Sequence, residues 1–134
     1  MSVSSETGKQ SFGKEQRLLT KSQFQYVFDQ APIRVSHPSL LILAKPNKLA
    51  HARLGLVIAK KQIKLAVRRT RIKRLIRESF RLRAEKLPPI DVIVLARSSA
   101  DTLENSEVTT ILNGLWKRVS KKQHKLLQQA QAQQ

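Results

Sequence analysis

The sequence predicts an α+β fold in which a sheet of apolar strands is covered by amphipathic helices. Three observations predict it. Residues 39–45 (SLLILAK) and 53–59 (RLGLVIA) are short runs of strand formers separated by the turn-rich KPNKLAHA, and residues 91–96 (DVIVLA) form a third such run. In residues 105–127, Val108, Ile111, Leu112, Leu115, Trp116 and Val119 keep the i, i+3, i+4 spacing of a helix with one apolar face. In residues 66–81, Ile72, Leu75, Ile76, Ser79 and Phe80 fall on one stripe of a second helix. Strands apolar on both sides need cover, and these stripes supply it.

Taken in order, residues 1–16 are polar and aperiodic and are expected to form a disordered tail. A first helix is expected after Thr20, the N-cap, with Gln23 as its capping-box partner and Leu19 stapled onto Phe24. Phe24, Val27 and Phe28 share one face of it, and Pro32 bars its extension. The two early strands follow, then the helix over residues 66–81, a break at Pro88 and Pro89, the third strand and the last helix. Gly114 inside that last helix costs about 1 kcal/mol relative to alanine. The tail QQAQAQQ is low in complexity and is expected to fray, so residues 17–127 form the one domain and 128–134 a disordered Gln-rich tail. A chain of 134 residues suits one domain with a real core.

Charge is the loudest signal. Lys and Arg number 26 against 9 acids, a net charge of +17. Residues 60–86 hold twelve of these cations and two acids, Glu78 and Glu85, and so carry ten of the seventeen net charges. Such density opposes compaction unless a polyanion neutralises it, and an ordinary solvated face would interleave Glu with the Lys. On the helix of residues 66–81, Thr70, Lys73, Arg74, Arg77 and Arg81 lie opposite the apolar stripe, with Arg71 on the flank. Lys60, Lys61 and Lys64 precede the helix and widen the patch. One helix therefore packs on the sheet and offers a cationic ridge to solvent.

A membrane surface is a poor partner for it, because the apolar stripe that lipid would need is already required by the strands. No apolar run approaches the length of a membrane span, no secretory signal is visible, and a cytoplasmic address is expected. Arg outnumbers Lys on the ridge, which favours bidentate phosphate recognition. Residues that read base edges are almost missing there, so backbone and shape recognition, as of structured RNA, fits better than sequence reading. These features do not by themselves separate RNA from DNA.

Catalytic constellations are missing. His37, His51 and His124 stand alone, no cysteine occurs, the carboxylates form no close D-x-D or D-x-E pair, and four scattered glycines make no phosphate loop. Any activity associated with this chain is not expected to run on its own side chains.

The run RLGLVIAKK (53–61), then RTRIKRLIRE (69–78), and RLLTKSQFQYVF (17–28) resemble the protein component of bacterial ribonuclease P, and RESFR resembles its gammaproteobacterial members. The resemblance spans residues 17–122 in the expected order. It implies an α+β, two-layer α/β sandwich ordered helix–strand–strand–strand–helix–strand–helix, with a left-handed strand–helix–strand crossover, like domain 2 of ribosomal protein S5. Handedness statistics alone would favour the opposite crossover. The additional early strand would be residues 33–37 (IRVSH). The resemblance implies an accessory subunit of an endoribonuclease whose catalysis is carried by RNA, and which removes the 5′ leader from precursor tRNA. It implies that Lys60, Lys61, Lys64, Arg69, Thr70, Arg71, Lys73, Arg74, Arg77 and Arg81 contact the catalytic RNA, one protein per RNA. Phe24 and Phe28 would line a cleft for the leader. No residue of the protein is assigned as a metal ligand; the resemblance implies that the RNA subunit requires Mg2+ and that the protein raises its affinity for these ions. Two departures stand out: Thr70 replaces the Asn of the family's Arg-Asn-Arg motif, and Leu43 falls where some relatives carry an aromatic. The competing readings are a ribosomal or other basic RNA-binding protein, and an architectural DNA-binding protein.

Overall fold

The computed structural model describes residues 21–132 apart from 48 and 50, and all but a few of their side chains, that of Phe24 being among the exceptions. The cap expected at Thr20, the Leu19 staple and the N-terminal tail lie outside the described residues. Helix α1 spans Lys21–Gln30. Three strands follow, β1 (Ile33–Ser36), β2 (Leu40–Pro46) and β3 (Arg53–Val57). Helix α2 (Ala66–Arg83) runs into a 3₁₀ turn at Ala84–Lys86, and strand β4 (Ile90–Ala96) into a 3₁₀ turn at Ser98–Thr102. Helix α3 (Asn105–Ala132) closes the chain. The order is the one the family resemblance implies.

The sheet order is β1-β2-β4-β3. β1 pairs antiparallel with β2 and β2 with β4, whereas β3 runs parallel to β4, so α2 is the crossover between adjacent parallel strands. Residues in register share a face of the pleat. On one face Ile33, Ala44, Val92 and Leu54 line up, then Val35, Ile42, Val94 and Leu56. This face packs beneath α2 and α3, where Ile72, Ile76, Phe80, Val108, Leu112, Leu115, Trp116 and Val119 are buried. On the other face Leu41, Leu43 and Ile93 pack against Val27 of α1. The two-layer body thus carries α1 on the far side of its sheet.

Two aromatic rings tie the helical layer together. Phe80 and Trp116 meet edge to face at 6.0 Å, and the buried indole N–H of Trp116 donates to Ser79 Oγ at 2.8 Å. Ser79, expected on the apolar stripe, is there as the partner that a buried indole needs. At the open end of the sheet, the Arg53 guanidinium donates to both oxygens of Asp91, its register neighbour, at 2.8 and 2.7 Å. Asn47 Nδ2 adds a third bond to Asp91 at 2.9 Å and a fourth contact to the His51 carbonyl, which shapes the turn into β3. Donating these hydrogen bonds to the Asp91 carboxylate raises the pKa of Arg53.

Several boundaries differ from expectation. β1 stops at Ser36 because His37 belongs to a tight turn, in which its Nδ1 accepts the Ser39 N–H at 3.0 Å. β2 begins at Leu40, after that turn, and runs to Pro46. β3 ends at Val57, where its pairing with β4 ends. The segment from 128, expected to be a disordered tail, is helical through Ala132. Gln and Ala are good helix formers, and neither Gly nor Pro follows Leu127 to stop the helix.

Gly114 lies on the exposed side of α3, and a Cβ there would meet nothing within 4 Å. Gly114→Ala is therefore expected to stabilise the protein by about 1 kcal/mol. A denaturant midpoint that does not rise would contradict this.

Candidate RNA interface

The ridge is built on the crossover helix. A turn at 59–63, closed by Ile63 N–H to the Ala59 carbonyl, buries Ile63 and aims the chain into α2. Ile72, Ile76, Ser79 and Phe80 then anchor one side of that helix, which leaves the opposite side to solvent. Lys60, Lys61, Lys64, Thr70, Arg74 and Arg77 are all exposed there, and Lys73 is half-buried. Lys60, Lys61, Lys64, Arg74 and Arg77 have no hydrogen-bond or ion-pair partner among the described residues.

Arg69, Arg71 and Arg81, also expected on the ridge, are engaged by the protein itself. Arg69 Nη1 donates to the carbonyls of Ile63 and Lys64 at 2.9 and 2.8 Å, which ties down the chain entering α2. Arg71 reaches across to the start of α3: its Nη2 donates to the Leu103 carbonyl at 3.0 Å, and its Nη1 to Asn105 Oδ1. Arg68 pairs with Asp101 at 2.7 Å in the same turn. Arg81 pairs with Glu78 one turn back, and that hydrogen bond holds the Glu78 carboxyl below its usual range. Half-buried Arg71 is a clamp between α2 and α3, with few donors left for phosphate. Thr70, Arg71, Arg74, Val67, Leu75 and Asn105 line a groove of about 230 Å³ beside the clamp.

The second expected site is on the far face of the sheet. α1 lies over β2 and β4. Val27 is fully buried, whereas its neighbour Phe28 is 41% exposed. Beyond α1, on β4 and the edge strand β3, Leu95 and Val57 are only half-buried and form an apolar floor. Leu43 is buried in the α1 cluster and offers no ring to this surface. Tyr26, which the sequence reading passed over, is 57% exposed and its ring lies 4.9 Å from the Lys45 ammonium. An exposed aromatic beside a cation is a stacking element of the same kind as Phe28. It was legible as a third aromatic on that helix, but the cation beneath it was not. Among the described residues no group of three or more His, Cys, Asp or Glu could hold a metal ion.

The mixed four-stranded sheet thus carries a basic helix on one face and an aromatic helix on the other. The Ribonuclease P family profile matches residues 12–120. The chain belongs to the ribonuclease P protein family. A ribonuclease P protein component from Saccharophagus degradans is 58% identical over 116 residues, 87% of this chain and 86% of the relative. That of Pasteurella multocida is 53% identical over 110 residues, covering 82% and 92%. Among solved structures, the ribonuclease P protein of Staphylococcus aureus superposes with a TM-score of 0.71 at 29% identity, over 78% of this chain and 97% of that one. The protein from Thermotoga maritima gives 0.69 at 27%, over 77% and 96%.

As a ribonuclease P protein, the chain is an accessory subunit. Within that family's basic motif, the fold divides the two arginines that flank Thr70 from the two further along the helix. Arg69 and Arg71 hold backbone, while Arg74 and Arg77 stand free. The motif is therefore partly architecture. No helix among the described residues is long and apolar enough to cross a membrane.

Proposed function

We propose that the chain binds the catalytic RNA of ribonuclease P through the exposed cations of α2 and the turn before it. In this reading it holds the 5′ leader of precursor tRNA against Phe28, and so promotes removal of the leader. The observation that carries this division is the placement of a cationic helix and an aromatic helix on opposite faces of one sheet. Lys60, Lys61, Lys64, Arg74 and Arg77 supply the phosphate contacts, with Lys73 at their margin. Arg69, Arg71 and Arg81 act by holding the ridge in shape. Phe28, and Tyr26 elsewhere on the exposed surface of the same helix, supply ring faces that stack on bases without sequence preference. One protein serves one RNA, the magnesium that cleavage requires belongs to the RNA, and the work is done in the cytoplasm.

The test is reconstitution. Added to a bacterial ribonuclease P RNA at low magnesium, the protein should restore 5′ leader removal, and a basic protein of equal charge should not. No stimulation would dispose of the reading.

The two kinds of ridge arginine should separate in a salt series. Arg74→Ala is expected to lower the slope of log K against log salt for the catalytic RNA by up to about one unit, with melting unchanged. Arg71→Ala is expected to leave the slope nearly constant and to lower stability by about 1–3 kcal/mol, because it frees backbone carbonyls and a charged partner is lost. Equal slopes losses in both variants would show that the clamp is not a separate role.

A further inference from the structure

α3 carries its cations in two rows that differ in what they touch. Arg118 and Lys122, one turn apart, reach the sheet. Arg118 Nη1 donates to the Ser36 carbonyl at 3.2 Å and Lys122 Nζ to the Arg34 carbonyl at 2.9 Å, so this row covers the free edge of β1. Lys117, Lys121 and Lys125 repeat every four residues on the side opposite Leu112, Trp116 and Val119. All three are exposed and have no hydrogen-bond or ion-pair partner among the described residues. Like charges one turn apart work against a helix.

Two ordinary reasons for such a row do not apply. No Asp or Glu follows Glu107 in the sequence, so nothing along the helix neutralises it. The row also lies in mid-helix, and the last turn of α3 holds no basic residue, so the row does not serve the helix macrodipole. Its direction suggests what it does serve. α2 and α3 form one layer, joined at Ser79, Phe80 and Trp116, and both bury their apolar stripes toward the sheet. Arg74 and Arg77 of α2 and the three lysines of α3 therefore look out from the same side of the protein.

We propose that Lys117, Lys121 and Lys125 bind phosphates of the catalytic RNA, which thus engages both helices of the layer. Lysine is a compact point charge without a fixed hydrogen-bonding fork, suited to phosphate contact that reads no base. The row faces away from α1, which is why the catalytic RNA and not the leader is its partner. This rests on the ribonuclease P reading above and extends its RNA surface to residues outside the basic motif.

The experiment uses the full chain with Lys117→Gln, Lys121→Gln and Lys125→Gln combined, the same three positions changed to Arg, and Lys121→Gln alone. Affinity for a bacterial ribonuclease P RNA is measured across a salt series, with melting, and with precursor tRNA affinity of the complex assembled at saturating protein. The Gln triple is expected to lower the salt slope by about two units and the single variant by less than one. The Arg triple should keep the slope, melting should hold in all three, and precursor tRNA affinity should not change once the complex is assembled. A Gln triple that melts normally and keeps its slope overturns the proposal. So does a loss confined to precursor tRNA, which would make the row a substrate contact. Failure of the unsubstituted protein to bind the RNA at all would instead overturn the parent reading, and this one with it.

Discussion

Phe28→Ala is expected to lower the preference for precursor over mature tRNA in the assembled complex by roughly 5- to 150-fold, the equivalent of about 1–3 kcal/mol of base stacking. Mature tRNA, which lacks the leader, should bind as before. The neighbouring positions on α1 explain why the effect should be functional. Val27 is fully buried and makes the contacts with Leu41, Leu43 and Ile93, so the packing of the helix rests on it. Phe28 keeps 41% of its surface in solvent. Truncating a fully buried Phe costs about 3–5 kcal/mol, and a half-exposed ring should cost much less. Melting of Phe28→Ala should thus stay close to that of the parent, whereas Val27→Ala should lose stability and both binding functions together. A folded Phe28→Ala protein with an unaltered precursor-to-mature ratio would remove the leader from this face of the sheet.

Asp91→Ala is expected to be the most destabilising single change at a polar residue, about 3 kcal/mol or more. The carboxylate is nearly buried and accepts two hydrogen bonds from Arg53 and one from Asn47. Removing it strands a guanidinium at the junction of the two parallel strands and releases the turn that leads into β3. β3 has a neighbour on one side only, β4, so it has little else to hold its register. Replacing both partners by apolar residues, Arg53→Met with Asp91→Leu, should recover much of the loss, since no unpaired charge then remains. Denaturant unfolding of the two variants decides it. If the double variant is as unstable as Asp91→Ala, the cost lies in the shape of the turn and not in the stranded charge.

Local pattern carried much of this protein. The apolar runs at residues 39–45, 53–59 and 91–96 read as buried strands, and the 3.6-residue stripes of α2 and α3 could only face them, because these periods depend on near neighbours in the chain. The cationic ridge was equally legible, since Lys73, Arg74 and Arg77 sit opposite a stripe that must be buried. What lay beyond reach was everything decided by groups far apart in sequence. β1 is four residues long and exists because β2 pairs with it. The insertion of β4 between β2 and β3, and the parallel pairing that results, comes from no local signal. The same holds for which cations are free. Arg71 is spent on carbonyls some thirty residues away and Lys122 on one 88 residues away, while Arg74 and Lys121, alike in type and spacing, are not. A long charged side chain takes whatever acceptor the fold brings within about 3 Å. The sequence by itself determined that this chain would offer a polyanion a rigid row of positive charge. Only the tertiary structure decided which charges hold the protein together and which are left for a partner.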